Sequence, residues 1–178
     1  EGNNLPVFVS DNYQSAFWTD EEDRSLRGES REYVLKKPVS KEEVSEAINE
    51  LKTIFKKHGA KVNDSMTTSV HVHMNCQKMT MKEVACLMTT YYCLEHLLME
   101  YCGEEREGNK FCLRASDAEE LIDYIVGVYR RGRYGDLGTD RYRYAGMNFT
   151  ALPKYGSLEF RGMRGVLEWK EIEQWIDI

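Results

Sequence analysis

An α+β fold, with a mostly antiparallel sheet carrying helices on one face, is predicted from three features of this 178-residue chain. Three Ser/Thr-x-x-Glu boxes each stand ahead of apolar residues at helical spacing. The stretches between them alternate polar and apolar residues or are rich in β-branched and aromatic types, as half-buried strands are. No repeat and no Pro- or Ser-rich linker divides the chain, so residues 1–178 are expected to form a single domain.

In chain order, Leu5–Val9 and Ala16–Thr19 read as short strands, a turn follows around Asp23–Gly28, and Arg31–Lys36 reads as a third strand. Ser40 and Glu43 form the first capping box. Val44, Ala47, Ile48, Leu51, Ile54 and Phe55 then repeat at helical spacing up to Gly59, which predicts a helix over 41–58. Thr80 and Glu83 open a second helix that Gly103 closes, and Ser116 and Glu119 open a third that ends at Gly132. Met66–Cys76, Tyr142–Leu152 and Gly156–Gly162 read as strands, the last two joined into a hairpin through Pro153-Lys154-Tyr155. A short helix from about Glu168 to Trp175 carries Trp169, Ile172 and Trp175 on one side.

Composition narrows the function. A 42% hydrophobic content supplies a core and argues against disorder. The formal charge, 24 minus 30 or −6, disfavours binding to duplex nucleic acid or to an anionic membrane. No run approaches the roughly 18 to 20 apolar residues that span a bilayer, and the N-terminus lacks a signal-peptide pattern. A soluble, cytoplasmic protein is expected. Five cysteines, an odd number with no C-x-x-C pair, read as reduced thiols used in packing. Because the first residue is Glu1 rather than Met, the sequence is expected to begin inside a longer or processed product.

Strand geometry sends Val70, Val72 and Met74 to one face and His71, His73 and Asn75 to the other. A half-exposed strand explains this pattern; so does a site, since an H-x-H pair presents two imidazole nitrogens to one point. Glu159 and Arg161 alternate in the same way with Leu158 and Phe160. If both strands share a sheet, His71, His73, Glu159 and Arg161 meet on its polar side; taken alone, Glu159 and Arg161 read as a solvated pair. From Arg130 to Arg164 eight basic residues face three acids, a local +5, and Gly132, Gly135 and Gly138 make part of that stretch a flexible loop whose arginines could grip phosphate. A charged surface loop is the plainer account. Neither a P-loop nor a G-x-G-x-x-G motif is present. Among the acids near the N-terminus only Glu32 lies in an expected strand, where it could add the oxygen donor that Mg²⁺ or Mn²⁺ prefers. Carboxylates, a histidine and arginines together point to phosphoryl chemistry with a hard divalent ion.

The succession Asp23-Arg24-Ser25-Leu26, Arg31-Glu32-Tyr33-Val34, Val70-His71-Val72-His73-Met74-Asn75, Arg143-Tyr144-Ala145-Gly146-Met147-Asn148 and Ser157-Leu158-Glu159-Phe160-Arg161 resembles the amidoligases of bacteria and phages over roughly residues 15–175. These are similar to glutamine synthetase and glutamate-cysteine ligase. The resemblance implies a curved antiparallel sheet around ATP and divalent ions, a glutamine synthetase-like catalytic fold. It implies that His71, Glu32 and Glu159 bind metal, that His73 contacts the nucleotide phosphates, and that Arg143 and Arg161 stabilise phosphate, with Asn75 and Asn148 as weaker candidates. Arg106 and Asn109 resemble a family segment near the substrate. The family usually opens with a strand bearing two alternating acids, so the chain is expected to lack most of that first strand.

The function expected is an ATP- and Mg²⁺-dependent ligase joining a carboxylate to an amine through an acyl phosphate. Its partners would be small-molecule or peptide acids and amines, in a bacterial host cytoplasm if the gene is a phage's, with homo-oligomerisation left open. Two other readings stand beside it. One is a zinc hydrolase in which His71, His73 and Glu159 hold the metal; the other is a noncatalytic module whose Arg/Tyr segment over 130–144 grips RNA or an acidic protein surface.

Overall fold

A computed structural model describes the chain except residues 9, 10, 24, 25, 27 and 64 and the side chain of Trp169. It divides into two compact units, one comprising Glu1–Thr68 with Gly165–Ile178 and the other Ser69–Arg164. The class is α+β. Among the described residues the strands pair into three small antiparallel sheets rather than one.

In the first unit β1 (Gly2–Asn3) pairs with β4 (Lys61–Val62), and β2 (Trp18–Glu22) forms a hairpin with β3 (Arg31–Leu35). Helix α1 (Lys41–His58) has the predicted bounds, with Glu43 Oε2 accepting the Ser40 N–H at 2.8 Å. Its buried stripe of Leu51, Ile54 and Phe55 packs with Phe8, Trp18 and Tyr33. Helix α5 (Trp169–Asp177) buries Ile172 and Trp175. The strand expected over Leu5–Val9 is absent as far as Phe8, and Val9 lies outside the described residues. Side-chain carboxylates divert the backbone there: Glu29 accepts the Leu5 N–H, Asp11 that of Val7 and Asp20 that of Phe8, so no donor row is left for a ladder. Of the turn expected over Asp23–Gly28 and the motif Asp23–Leu26, residues 24, 25 and 27 also lie outside.

The second unit is built on a three-stranded sheet in which β7 (Ser157–Phe160) runs between β5 (Val72–Asn75) and β6 (Met147–Asn148). Helices α2 (Met81–Cys102) and α3 (Leu121–Arg131) supply the apolar layer. Val84, Met88, Tyr91, Leu121, Ile125 and Val128 bury against Met147, Phe149 and Leu158. Thr80 and Glu83 form the predicted box, the Thr80 N–H reaching Glu83 Oε2 at 2.7 Å. The third box does not form: Glu120, at φ +64°, precedes α3. Asp117 instead closes a turn on Arg114, whose Nε reaches its carboxylate at 2.8 Å, and this holds 114–118 out of the helix.

Two expected strands are shorter than their patterns. Ser65 and Thr68 make a hydrogen-bonded turn that removes 66–68 from the first. A 3₁₀ turn over Asp140–Tyr142 removes the start of the second. The expected hairpin of β6 and β7 does form, joined through the short helix α4 (Leu152–Tyr155). The Gly-rich arginine segment is not a loose loop: it folds into 3₁₀ turns over Tyr134–Gly138 and Asp140–Tyr142, anchored by buried Leu137 and Tyr142 and by a hydrogen bond from the Tyr124 hydroxyl to the Asp136 carbonyl. All five cysteines are free; Cys76, Cys102 and Cys112 are buried, whereas Cys86 and Cys93 lie exposed on α2 and do not pack. Among the described residues no helix is long and apolar enough to cross a membrane.

Gly146 and Arg106 seat the C-terminal end of β7. A Cβ on Gly146 would stand 2.9 Å from the Tyr91 hydroxyl, so only glycine lets α2 approach this closely. Fully buried Arg106 donates from Nε to the Gly162 carbonyl and from Nη2 to the Arg161 carbonyl, each at 2.9 Å. Arg106→Met would orphan both carbonyls and is expected to lower stability by about 2–4 kcal/mol in urea unfolding.

Candidate active site

The site is built on the register of β7. His73 of β5 lies opposite Glu159, and Asn148 of β6 lies opposite Glu159 from the other side, so the central strand brings three polar side chains to one face. Glu159 is not the solvated group that the Glu159–Arg161 pair taken alone suggests: it is only 6% exposed, while Leu158 on the opposite face belongs to the apolar core.

Buried carboxylates need partners, and Glu159 has several. Arg161 Nη1 lies 2.6 Å from Oε1, His71 Nδ1 lies 3.1 Å from the same oxygen, and Asn148 Nδ2 donates to Oε2 at 2.6 Å. His73 Nε2 stands 3.8 Å from Oε1, its side chain half exposed. Each partner is held in turn. His71 Nε2 pairs with the Ser69 hydroxyl at 2.8 Å, Asn148 Oδ1 accepts the Thr150 N–H, and Arg161 Nε donates to the Phe111 carbonyl at 3.1 Å. Burial by itself pushes the Glu159 carboxyl up, but the hydrogen bond from His71 and the charges of Arg161, His71 and His73 outweigh it and bring it down to about 2.

A cleft of about 400 Å³ opens above this face. His73, Asn148 and Glu159 lie on its floor, and Asp140, Lys154 and Tyr155 stand on its walls. Arg143 is outside the hydrogen-bonded cluster. It is exposed, with its guanidinium stacked 4.5 Å from the Tyr144 ring centroid; that same ring lies 5.7 Å from the Arg161 guanidinium, so one aromatic links the two arginines.

The remaining candidates are not among the hydrogen-bonded or ion-pair partners of Glu159. Glu32 lies exposed on β3 in the other unit, opposite Glu21. Asn75 is exposed and accepts the Gln77 N–H in a turn. Asn109 is buried and accepts the Phe111 N–H at 2.9 Å, which holds the carbonyl-bearing segment that Arg161 uses. The supporting roles of Arg106, Phe111 and Tyr144 escaped the sequence reading. The alternation of Arg143 with Tyr144, ahead of Arg161 on a hairpin partner, was the available signal for the arginine–tyrosine stack.

Among the described residues no group of three His, Cys, Asp or Glu side chains is arranged to hold a metal ion. Nδ1 of His71 and Oε1 of Glu159 are committed to each other; Oε2 of Glu159 accepts from Asn148 but keeps a second lone pair, and Nε2 of His71 could serve as a donor only by giving up the Ser69 hydroxyl. Mg²⁺ commonly takes one or two carboxylates and completes its shell with water and phosphate oxygens. The site thus offers a hard ion one carboxylate oxygen, Oε2 of Glu159.

The small antiparallel sheet thus presents a buried carboxylate between a guanidinium and an imidazole on the floor of a cleft. The family model described as "Putative amidoligase enzyme" matches residues 10–178, and the chain belongs to that family of enzymes. Neither the curated proteins nor the solved structures give a significant match.

The carboxylate's pH behaviour is testable in metal-free protein. Because the folded value, about 2, lies below the ordinary 4.5, the stability that Glu159 adds is fully present above about pH 4.5 and is lost as pH falls through about 2. Urea unfolding between pH 2 and 6 in EDTA is expected to show about 3 kcal/mol of this dependence, and Glu159→Gln to flatten it.

Proposed function

We propose that the chain is an ATP-dependent carboxylate–amine ligase that makes its amide through an acyl phosphate. The observation that carries this reading is Glu159: a carboxylate kept ionised under burial by Arg161, His71 and Asn148, on the floor of an open cleft, in a chain of the amidoligase family. A glutamine synthetase-like catalytic fold is part of the same reading.

In it the acid substrate takes the γ-phosphoryl group of ATP, and the amine then attacks the acyl carbon and displaces phosphate. No side-chain nucleophile is required, so the protein's contribution is positioning and electrostatics. Glu159 Oε2, and His71 Nε2 once it releases the Ser69 hydroxyl, are the groups that would hold Mg²⁺ or Mn²⁺, which when bound neutralises charge on phosphate oxygens. Arg161 keeps Glu159 ionised and pointed into the cleft; its anchor at the Phe111 carbonyl fixes the guanidinium while charge develops. His73, half exposed on the same floor, reaches toward the phosphate chain, and Arg143 adds positive potential from the Tyr144 stack. Tying the cleft carboxylate into a hydrogen-bonded set lowers the reorganisation needed at the transition state.

The experiment is Mg²⁺-dependent ADP release, with hydroxylamine trapping any acyl phosphate as a hydroxamate. Glu159→Ala and His71→Ala are each expected to lower turnover at least about 100-fold, with circular dichroism confirming that the fold is kept. Unchanged turnover in both variants would remove the site.

A further inference from the structure

Helix α2 has an uncharged surface on the side turned away from the core. Its buried row runs Val84, Met88, Tyr91, Glu95, Met99 and Cys102. On the opposite side Cys86, Thr90, Cys93, Leu97 and Tyr101 follow one another at three- and four-residue spacing, and all are exposed. Leu94 beside them is 44% exposed and Leu97 itself 56%. From Val84 to Met99 the only Asp, Glu, Lys or Arg is buried Glu95, whereas the chain's 30% charged content would put about five in a stretch of that length. His96 stands at the edge of the row, 3.3 Å from Glu100. A surface helix ordinarily carries charge along its outer face, but α2 carries it only at its ends.

The charges at those ends point to the partner. Exposed Lys78 and Lys82 stand at the N-terminal end, where Glu83 is spent on capping Thr80. Exposed Glu100, Glu104 and Glu105 stand at or just past the C-terminal end. This polarity is the reverse of what the helix macrodipole favours, so these charges weaken α2 taken alone. They suit a second α2 laid antiparallel, whose glutamate end meets the lysines and whose lysines meet the glutamates. The uncharged row is self-matching in the same sense. An axis of two-fold symmetry crossing between Cys93 and Leu94 sets Thr90 opposite the partner's Leu97 and Cys86 opposite the partner's Tyr101.

We infer that the chain forms a homodimer through α2, two copies packing antiparallel along the row from Cys86 to Tyr101. The other side of α2 packs on the Leu158 face of the sheet, whereas the cleft opens over Glu159, so the pairing leaves both clefts open and does not rest on the ligase reading. One helix from each copy makes a small interface, and dissociation is expected at about 1–100 µM.

The test is sedimentation equilibrium of the full chain with its thiols reduced. A monomer–dimer equilibrium is expected, and Leu97→Glu, which buries a charge on each side of the pairing, should weaken it at least about tenfold with an unchanged circular dichroism spectrum. Lys82→Glu should weaken it a few-fold, and adding Glu105→Lys should restore it. Direction is read with a short bis-maleimide after the reductant is removed. Antiparallel packing brings the two Cys93 thiols together and leaves the two Cys86 thiols about 22 Å apart along the axis, so Cys93→Ser should abolish the cross-linked dimer and Cys86→Ser should not. The inference is overturned by a monomer at concentrations up to about 1 mM, by a dimer that Leu97→Glu leaves intact, by a charge swap that fails to restore pairing, or by cross-linking through Cys86. A monomer whose Cys93 resists maleimide would mean that another part of the chain covers the row, and one whose Cys93 reacts freely would assign the face to a different protein. Either result excludes the homodimer.

Discussion

A carboxylate buried at the centre of a small sheet must either be neutralised or be surrounded by donors, and Glu159 is surrounded. Most of the second unit can be read as the means of doing so. Arg161 reaches back along its own strand to Oε1, its backbone N–H is fixed by the Gly146 carbonyl, and its own carbonyl is held by buried Arg106. Gly146 can sit there only because it lacks a Cβ against the Tyr91 hydroxyl. The position of one guanidinium thus depends on packing between α2 and the sheet as well as on local strand geometry. Burying such an ion costs energy that its partners must offset.

Sheet geometry divides the labour between the two faces of β7. Leu158 enters the apolar core with Met147 and Phe149, while Glu159 turns to His73 and Asn148. Having partners on both edges is what makes β7 the central strand. An edge strand would have left Glu159 with one neighbour and open to water. The cleft walls come from segments that precede and follow β6, held by buried Leu137, Tyr142 and Ala151.

Helices α1 and α2 were legible almost to the residue, because a capping box, an apolar stripe and a closing glycine are all local signals. The third box misled for an equally local reason. Asp117 offers Arg114 a turn that competes with the first helical turn, and the sequence pattern does not state which one wins. Strand ends were legible only in outline. The strand patterns took in Met66–Thr68 and began at Tyr142, but side-chain hydrogen bonds and 3₁₀ turns took up backbone groups that a ladder would have needed.

The sequence by itself determined α1 and α2, the alternation that separates Glu159 from Leu158 and His73 from Met74, and the family motifs, because each depends on neighbours a few positions apart. Only the tertiary structure decided that β5 and β6 flank β7 in the register that puts His73 and Asn148 against Glu159. Only it could show Arg106 and the Phe111 carbonyl serving Arg161 from 50 or more residues away. Pairing partners and burial are properties of the folded chain: a period-two pattern says which side chains share a face, and packing alone says what that face meets.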